Sequence, residues 1–436
     1  MFLKKLSLLN FKCLSNIELS FEKTKTENRK WTLILGENGT GKSNILKAIA
    51  LVTSGSNALG ELLGNTDSWI KNNESECIIK ADFETKKGEE RRISLQFNRG
   101  DNLSKIISNN RESLHMIDDA IENADRNYFV VAYGASRRLS NEVFSNFEKN
   151  RYGRSVNVRN LFDNASILNP LTAWIIELDY RSGNDGINLV KEALKDFLPN
   201  ISFHSIDKDK KQVLFETVDG IIPLDQLSDG YQNMAAWIGD LLFRITETFK
   251  DYKKPLEARG LLLIDEVDLH LHPKWQRKLL DFISNKLPNF QVVATTHSPL
   301  TAQQADTGEL FALRRNENNA VELVPFNGSP KTLLVNQLLM TPVFGLETDE
   351  SYDVQKTKNE YAELKAKEGE LNHEEEKKFK EVKQKLKNEL PNRTFLTSNE
   401  KVLNLLEKIE SKLDSGSFEK NRANKIQKLI QIEDEK

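Results

Sequence analysis

Gly36-Glu-Asn-Gly-Thr-Gly-Lys42-Ser43 places glycines, a lysine and a hydroxyl at the spacing GxxxxGKS, and that spacing is built for phosphate. Glycines let a backbone wrap around phosphate oxygens, so Asn38, Gly39, Thr40 and Gly41, with the start of the helix that follows, can form an anion cradle of N–H groups. Lys42 can reach β- and γ-phosphates, and the Ser43 hydroxyl can ligate Mg²⁺. A chance glycine-rich turn is the bland alternative, and the apolar run Trp31–Leu35 before the motif and the helical pattern after it argue against that.

A second group lies further along the chain. In Leu261-Leu-Leu-Ile-Asp265-Glu266, an apolar run ends in two acids, which puts Asp265 at the carboxyl end of a buried strand, the edge where ligands of such sheets bind. Asp265 is expected to hold the Mg²⁺, largely through its water shell, and Glu266 to act as the base that orients or deprotonates a water. Taken alone, the same run could end in a solvated turn. His297, in Thr295-Thr-His-Ser-Pro299, follows the next apolar strand, Gln291–Thr295, and would bring an imidazole near a γ-phosphate. His270 and His272 alternate with apolar residues, but no third ligand is close in sequence, which favours a loop lining a subunit contact over a metal site.

These groups need a scaffold. The sequence predicts two strands, Phe2–Phe11 and Asn16–Phe21, then strands at Trp31–Leu35, Cys77–Phe83, Arg92–Phe97 and Tyr128–Tyr133, and a helix from about Lys42. From Ser136 to Asp225, helix-like runs (Thr172–Tyr180, Ile187–Phe197) alternate with a strand-like one (Val213–Val218), consistent with a helical lobe inserted in the head. Beyond Thr348, Lys and Glu dominate and apolar residues fall at helical spacing. Helices are expected around Tyr361 and Leu364, from an Asn372 cap to Pro391, and from about Ser398 to Leu413.

Leu227-Ser228-Asp229-Gly230-Tyr231-Gln232 resembles the LSGGQ signature of ABC-type ATPases, and it precedes the Asp265 strand by a helix, as in that family. The order phosphate loop, signature, Asp265-Glu266, the D-loop acid Asp268 and His297 is similar to the heads of the SMC, RecF and OLD group, as is the opening Leu8-Leu-Asn-Phe-Lys12. That resemblance implies an α/β head over residues 1–347 with a mixed sheet and a helical lobe inserted at about 136–225, and a helical C-terminal module over 348–436. It implies ATP and Mg²⁺ as ligands, Lys12 near the nucleotide, His297 as the switch that senses the γ-phosphate, and a head-to-head dimer in which Ser228 and Gly230 reach the other subunit's γ-phosphate. Two residues depart from the pattern: Asp229 replaces a signature glycine and adds an anion, and Tyr231 takes the glutamine position. The Q-loop glutamine is also missing from Gly134-Ala-Ser-Arg137-Arg138.

The interval from Lys42 to Asp265 is too short for long coiled-coil arms, and the tail lacks the acid cluster of a Toprim nuclease. Together with Thr341-Pro-Val-Phe-Gly-Leu346, the motifs resemble the ATPases of Septu defence systems, the PtuA family, which implies a partner HNH nuclease, antiphage defence and no nuclease site in this chain. In the helices after Thr348, Tyr361, Leu364, Leu386, Leu390, Leu403 and Leu406 need a surface to cover, either the chain's own head or a docking groove on that partner. A rival reading is a RecF-like ATPase gating DNA engagement through Arg137, Arg138, Arg151, Arg154 and Arg159.

Composition is compatible with either reading. The 436 residues are 38% hydrophobic and 29% charged with a net charge of −3, which names no partner. The two cysteines, Cys13 and Cys77, make neither a disulfide framework nor a metal cluster and suit a reducing cytoplasm. Met1 to Asn10 has no signal-peptide pattern, and no run approaches the ~20 apolar residues that span a membrane.

Overall fold

The computed structural model describes residues 1–24, 27–85, 88–137, 153–169, 171–197, 201–249, 251–252, 254–346, 348–367 and 373–389. Arg138, Arg151, Asn372, Leu390, Pro391, Leu403, Leu406 and the helix expected from Ser398 lie outside them. Contacts divide the chain into two compact units, Met1–Glu347 and Thr348–Lys436.

At the centre of the first unit stands a six-stranded sheet in the spatial order Val321–Pro325, Leu310–Arg315, Trp31–Gly36, Phe290–Thr295, Gly260–Ile264, Val130–Tyr133. Only the Val321–Pro325 edge is antiparallel; the other five strands run parallel. Their sequences are continuous apolar runs because both faces are buried. Alternate residues serve opposite cores: Leu33, Leu35, Leu262, Ile264, Val292 and Ala294 face one, while Ile34, Leu261, Leu263 and Val293 face the other. Truncating one of these leucines to alanine should cost about 2–5 kcal/mol.

The second core is shared with a four-stranded antiparallel sheet, Leu14–Ser20, Phe2–Phe11, Glu76–Glu84 and Glu90–Asn98, and with the helix Lys42–Thr53 wedged between the sheets. The first core lies under the inserted lobe. That lobe holds more strand than the sequence suggested: Leu171–Phe197 bends at Gly183 (φ 54°) into two helical stretches, and the expected strand, Gln212–Thr217, pairs with Ser202–Asp207 and Gly220–Pro223 in a three-stranded antiparallel sheet. Phe215 is buried and meets Phe203 edge-on at 6.4 Å, so the meander has its own apolar face and packs into the core through it.

Asp229–Thr248 is the longest uninterrupted helix of the first unit, and Met234 to Ile245 along it are buried. In the second unit, the helices Tyr352–Ala366 and His373–Glu389 pack on each other through Tyr361 stacked on Phe379 at 5.2 Å. No helix among the described residues is long and apolar enough to cross a membrane.

Candidate nucleotide site

Because five strands run parallel, the loops that carry chemistry leave the sheet at one edge. Gly36–Lys42, Gly134–Arg137, Asp265–Asp268 and Thr296–His297 all follow strand ends there.

The phosphate loop closes on the helix Lys42–Thr53, whose N-cap is Gly41 at φ 98°. A side chain there is excluded twice: the left-handed backbone disfavours it, and a Cβ would lie 2.8 Å from both Cys13 Sγ and Leu14 Cδ2. The turn after the first strand therefore forms the floor under the loop. Lys12, in that turn, sets its ammonium 4.2 Å from the centre of the Trp69 ring. Burial lowers its pKa, and Lys47 nearby lowers it further, so this corner already concentrates positive charge. Thr40 is buried and donates to the Glu37 carbonyl at 2.8 Å, which holds the loop, while Asn38 and Gly39 are exposed.

Lys42 is buried and donates to the carbonyls of Gly36 at 2.8 Å and Glu37 at 3.0 Å. Burial lowers its pKa, and the carboxylates of Asp265 and Glu266 oppose that shift. The two motifs, far apart in sequence, thus share one electrostatic neighbourhood. Ser43 is half-buried at the first turn of the same helix.

Two threonines organise the acids. The Thr295 hydroxyl donates to Oδ1 of Asp265 at 2.6 Å and accepts from the N–H of Glu266 at 2.7 Å. The Thr296 hydroxyl donates to Oδ1 of Asp268 at 2.5 Å, and burial raises the Asp268 pKa against that bond and against Arg137 and His297. Asp265 and Asp268 are buried, Glu266 is half-buried, and His297 is exposed at the mouth of a cleft of about 290 Å³ lined also by Gly36, Glu37, Thr296, Arg315 and Phe344. Both threonines were present in the motif around His297, but nothing in their spacing distinguished them as the residues that hold the acids.

The signature residues lie at the start of the helix Asp229–Thr248. Ser228 is the N-cap of the helix Asp229–Thr248, and its side chain makes no capping bond; Ser228 and Asp229 are exposed. Gly230 is pressed against the loop after Asp268, where a Cβ would lie 3.0 Å from the His270 carbonyl. Behind the sheet, the Tyr133 hydroxyl donates to Asp240 at 2.8 Å and Arg244 pairs with Asp240 at 2.6 Å, so the signature helix is pinned to the strand leading into Gly134. His272 caps a short helix, its Nδ1 accepting from the N–H of Lys274, while His270 is exposed at φ 63°.

Of the arginines that the rival reading offered as a basic surface, Arg137 is buried, Arg154 half-buried and Arg159 exposed. Arg137 is buried and donates to the carbonyls of Gly134, Asp265 and Glu266. Arg154 donates to the carbonyls of Thr53 and Tyr128, and Arg159 pairs with Glu61. Charge suggested a solvated face; interior carbonyls claimed two of these side chains instead.

Residues 32–302 match the family model described as "AAA domain, putative AbiEii toxin, Type IV TA system". The chain belongs to this family. Among curated proteins, the AAA domain and its flanks are 29% identical to the Septu protein PtuA of Bacillus mycoides (strain KBAB4), covering 79% of this chain and 45% of that one. They are 24% identical to the Retron Vc95 probable ATPase of Vibrio cholerae, covering 68% and 70%. The chain therefore spans about half the length of the Bacillus relative it matches. Among solved structures, an SMC head bound to the C-winged helix domain of ScpA is 17% identical with a TM-score of 0.46, covering 75% of this chain and 98% of that one.

Proposed function

We propose that this AAA domain hydrolyses ATP as a head-to-head dimer, and that its opening and closing regulates a separate HNH-type nuclease in cytoplasmic antiphage defence. The observations that carry the reading are a phosphate loop set beside Asp265 and Glu266, and an exposed Ser228 at a helix start with no capping bond of its own. A second copy would join them, with Ser228 and Gly230 of one chain facing the γ-phosphate held by Lys42 and Ser43 of the other.

The donor set fits ATP and Mg²⁺. The Lys42 ammonium already rests on two carbonyl oxygens, the kind of acceptor a phosphate would replace. The Ser43 hydroxyl and the Asp265 carboxylate are hard oxygen donors of the type the metal prefers. Mg²⁺, when bound there, would neutralise charge that develops on the phosphates. Asn38, Gly39, Thr40 and Gly41 would wrap the phosphates, and Lys12 would add positive charge near the nucleotide. Glu266 would take the proton of the attacking water while Thr295 holds its main chain, and His297 would steady that water at the cleft mouth. Asp268 would line the contact between copies. ATP favours the closed dimer by binding it better than the open one, and hydrolysis removes that preference. The PtuA likeness supports the defence role and a nuclease supplied by another chain.

Sedimentation velocity with ATP and Mg²⁺, paired with copurification of a coexpressed HNH nuclease, tests the reading. Wild type should form an ATP-dependent dimer and retain the nuclease, and Lys42→Ala should lose the dimer. A wild-type chain that stays monomeric at saturating ATP overturns the closure.

A further inference from the structure

Arg137 lies at the carboxyl end of the strand Val130–Tyr133, where the sequence offered no glutamine, and it is 6% exposed. Its Nε donates to the Gly134 carbonyl at 3.1 Å. One terminal nitrogen donates to the carbonyls of both Asp265 and Glu266, the latter at 2.8 Å. The guanidinium also stands 5.7 Å from the centre of the Trp237 ring, on the helix that begins at the signature. Each of these acceptors is a main-chain carbonyl rather than a carboxylate. Burial draws the Arg137 pKa down to about 10, so the group remains a cation at neutral pH.

Glu266 has φ 48°, in the left-handed region that a residue with a Cβ seldom adopts. Both of its main-chain polar groups are held: its N–H by the Thr295 hydroxyl at 2.7 Å, and its C=O by Arg137 at 2.8 Å together with the Leu269 N–H at 3.0 Å. Strained backbone of this kind persists only where surrounding contacts over-determine it. The direction in which the Glu266 carboxylate points is a consequence of that backbone.

We propose that Arg137 is a positioning residue for hydrolysis, holding the Glu266 main chain so that its carboxylate faces the attacking water. The chemistry requires arginine. A rigid planar fork can serve carbonyls of successive loops at once, whereas a lysine ammonium is a point charge on a flexible stem. Seated on Trp237, the fork also ties the catalytic loop to the signature helix.

The inference rests on Glu266 being the base, and the experiment separates the two. Turnover, affinity for a non-hydrolysable ATP analogue and thermal midpoint are measured for Arg137→Lys, Arg137→Gln and Glu266→Gln. Arg137→Lys should bind the analogue within about twofold of wild type and lose about 10- to 100-fold in kcat, the scale of a small misplacement at a reacting centre. If the lysine variant does not fold, Arg137→Gln, which keeps an amide NH2 group as donor without the charge, is held to the same expectation. Turnover within twofold of wild type in a folded variant overturns the proposal, as does a loss of analogue affinity equal to the loss of kcat. If Glu266→Gln still hydrolyses ATP, the base reading fails and takes this one with it. If Glu266→Gln is inactive while Arg137→Lys turns over normally, only the positioning role fails.

Discussion

Thr295 donates its hydroxyl hydrogen to Oδ1 of Asp265 at 2.6 Å, linking the ends of two neighbouring parallel strands. The Thr295 hydroxyl oxygen in turn accepts from the Glu266 N–H. Thr295→Val keeps the shape and removes both bonds, leaving a buried carboxylate and a main-chain N–H short of a partner. The expected loss is about 1–3 kcal/mol of stability, read as a lower urea midpoint with an unchanged slope. An unchanged midpoint would mean that water replaces the hydroxyl without cost.

Glu266→Gln should keep ATP binding and abolish turnover, because the amide preserves the shape of the side chain but does not accept a proton as a carboxylate does. With hydrolysis blocked, the closed, ATP-loaded dimer should accumulate in sedimentation. Phosphate release at the wild-type rate would remove Glu266 from the role of base.

What was legible in the sequence was local. Trp31–Gly36 and Gly260–Ile264 fall within a residue of expectation and the helix begins at Lys42 as expected, because glycines, a helix start and a pair of acids punctuate apolar runs. The lobe was legible only in part: its helical runs and the strand Gln212–Thr217 were expected, the two strands that flank it were not. Its strands Ser202–Asp207 and Gly220–Pro223 are short and half-exposed, and they form through pairing with Gln212–Thr217 rather than through a periodicity of their own. Arg137 was misread for a related reason: the carbonyls that hold it come from residues 265 and 266, and no local pattern announces an acceptor so far along the chain. The cover of the C-terminal helices also differs. Tyr361 and Leu364, for which the head or a partner was the expected cover, lie on a helix packed against His373–Glu389, with Leu364 buried and Tyr361 half-buried.

Cys77 gives the fold a dependence on alkaline pH. Burial in the strand Glu76–Glu84, with Glu76 adjacent, pushes its thiol up from 9.0 to about 12. In the unfolded chain the thiol ionises near 9.0, so between 9.0 and about 12 the folded state keeps a proton that the unfolded state has released. Stability from this group is therefore complete below the lower value and is lost as pH rises toward the upper one. Cys77→Ala removes the effect. Urea midpoints measured at about pH 8 and about pH 10.5 should fall more steeply for wild type than for the variant, and parallel slopes would show that the thiol does not contribute.

Ser228→Arg tests the joining of the two half-sites. The residue is exposed at the start of a 20-residue helix, so an arginine there should leave the chain's own fold and phosphate loop intact. The helix start carries a partial positive charge suited to a γ-phosphate, yet the added side chain would fill the space that phosphate needs in the closed dimer. The variant should bind ATP as a monomer, with analogue affinity reduced only by the missing trans contacts. It should fail to shift to a dimer in sedimentation and should lose turnover. Mixing it with Glu266→Gln separates binding from closure: each mixed dimer has one site with Ser228 and one with the arginine, so closure should be weakened rather than restored. A Ser228→Arg chain that closes and hydrolyses ATP at the wild-type rate would place the dimer contact on another surface and leave Ser228 as a solvent-facing N-cap.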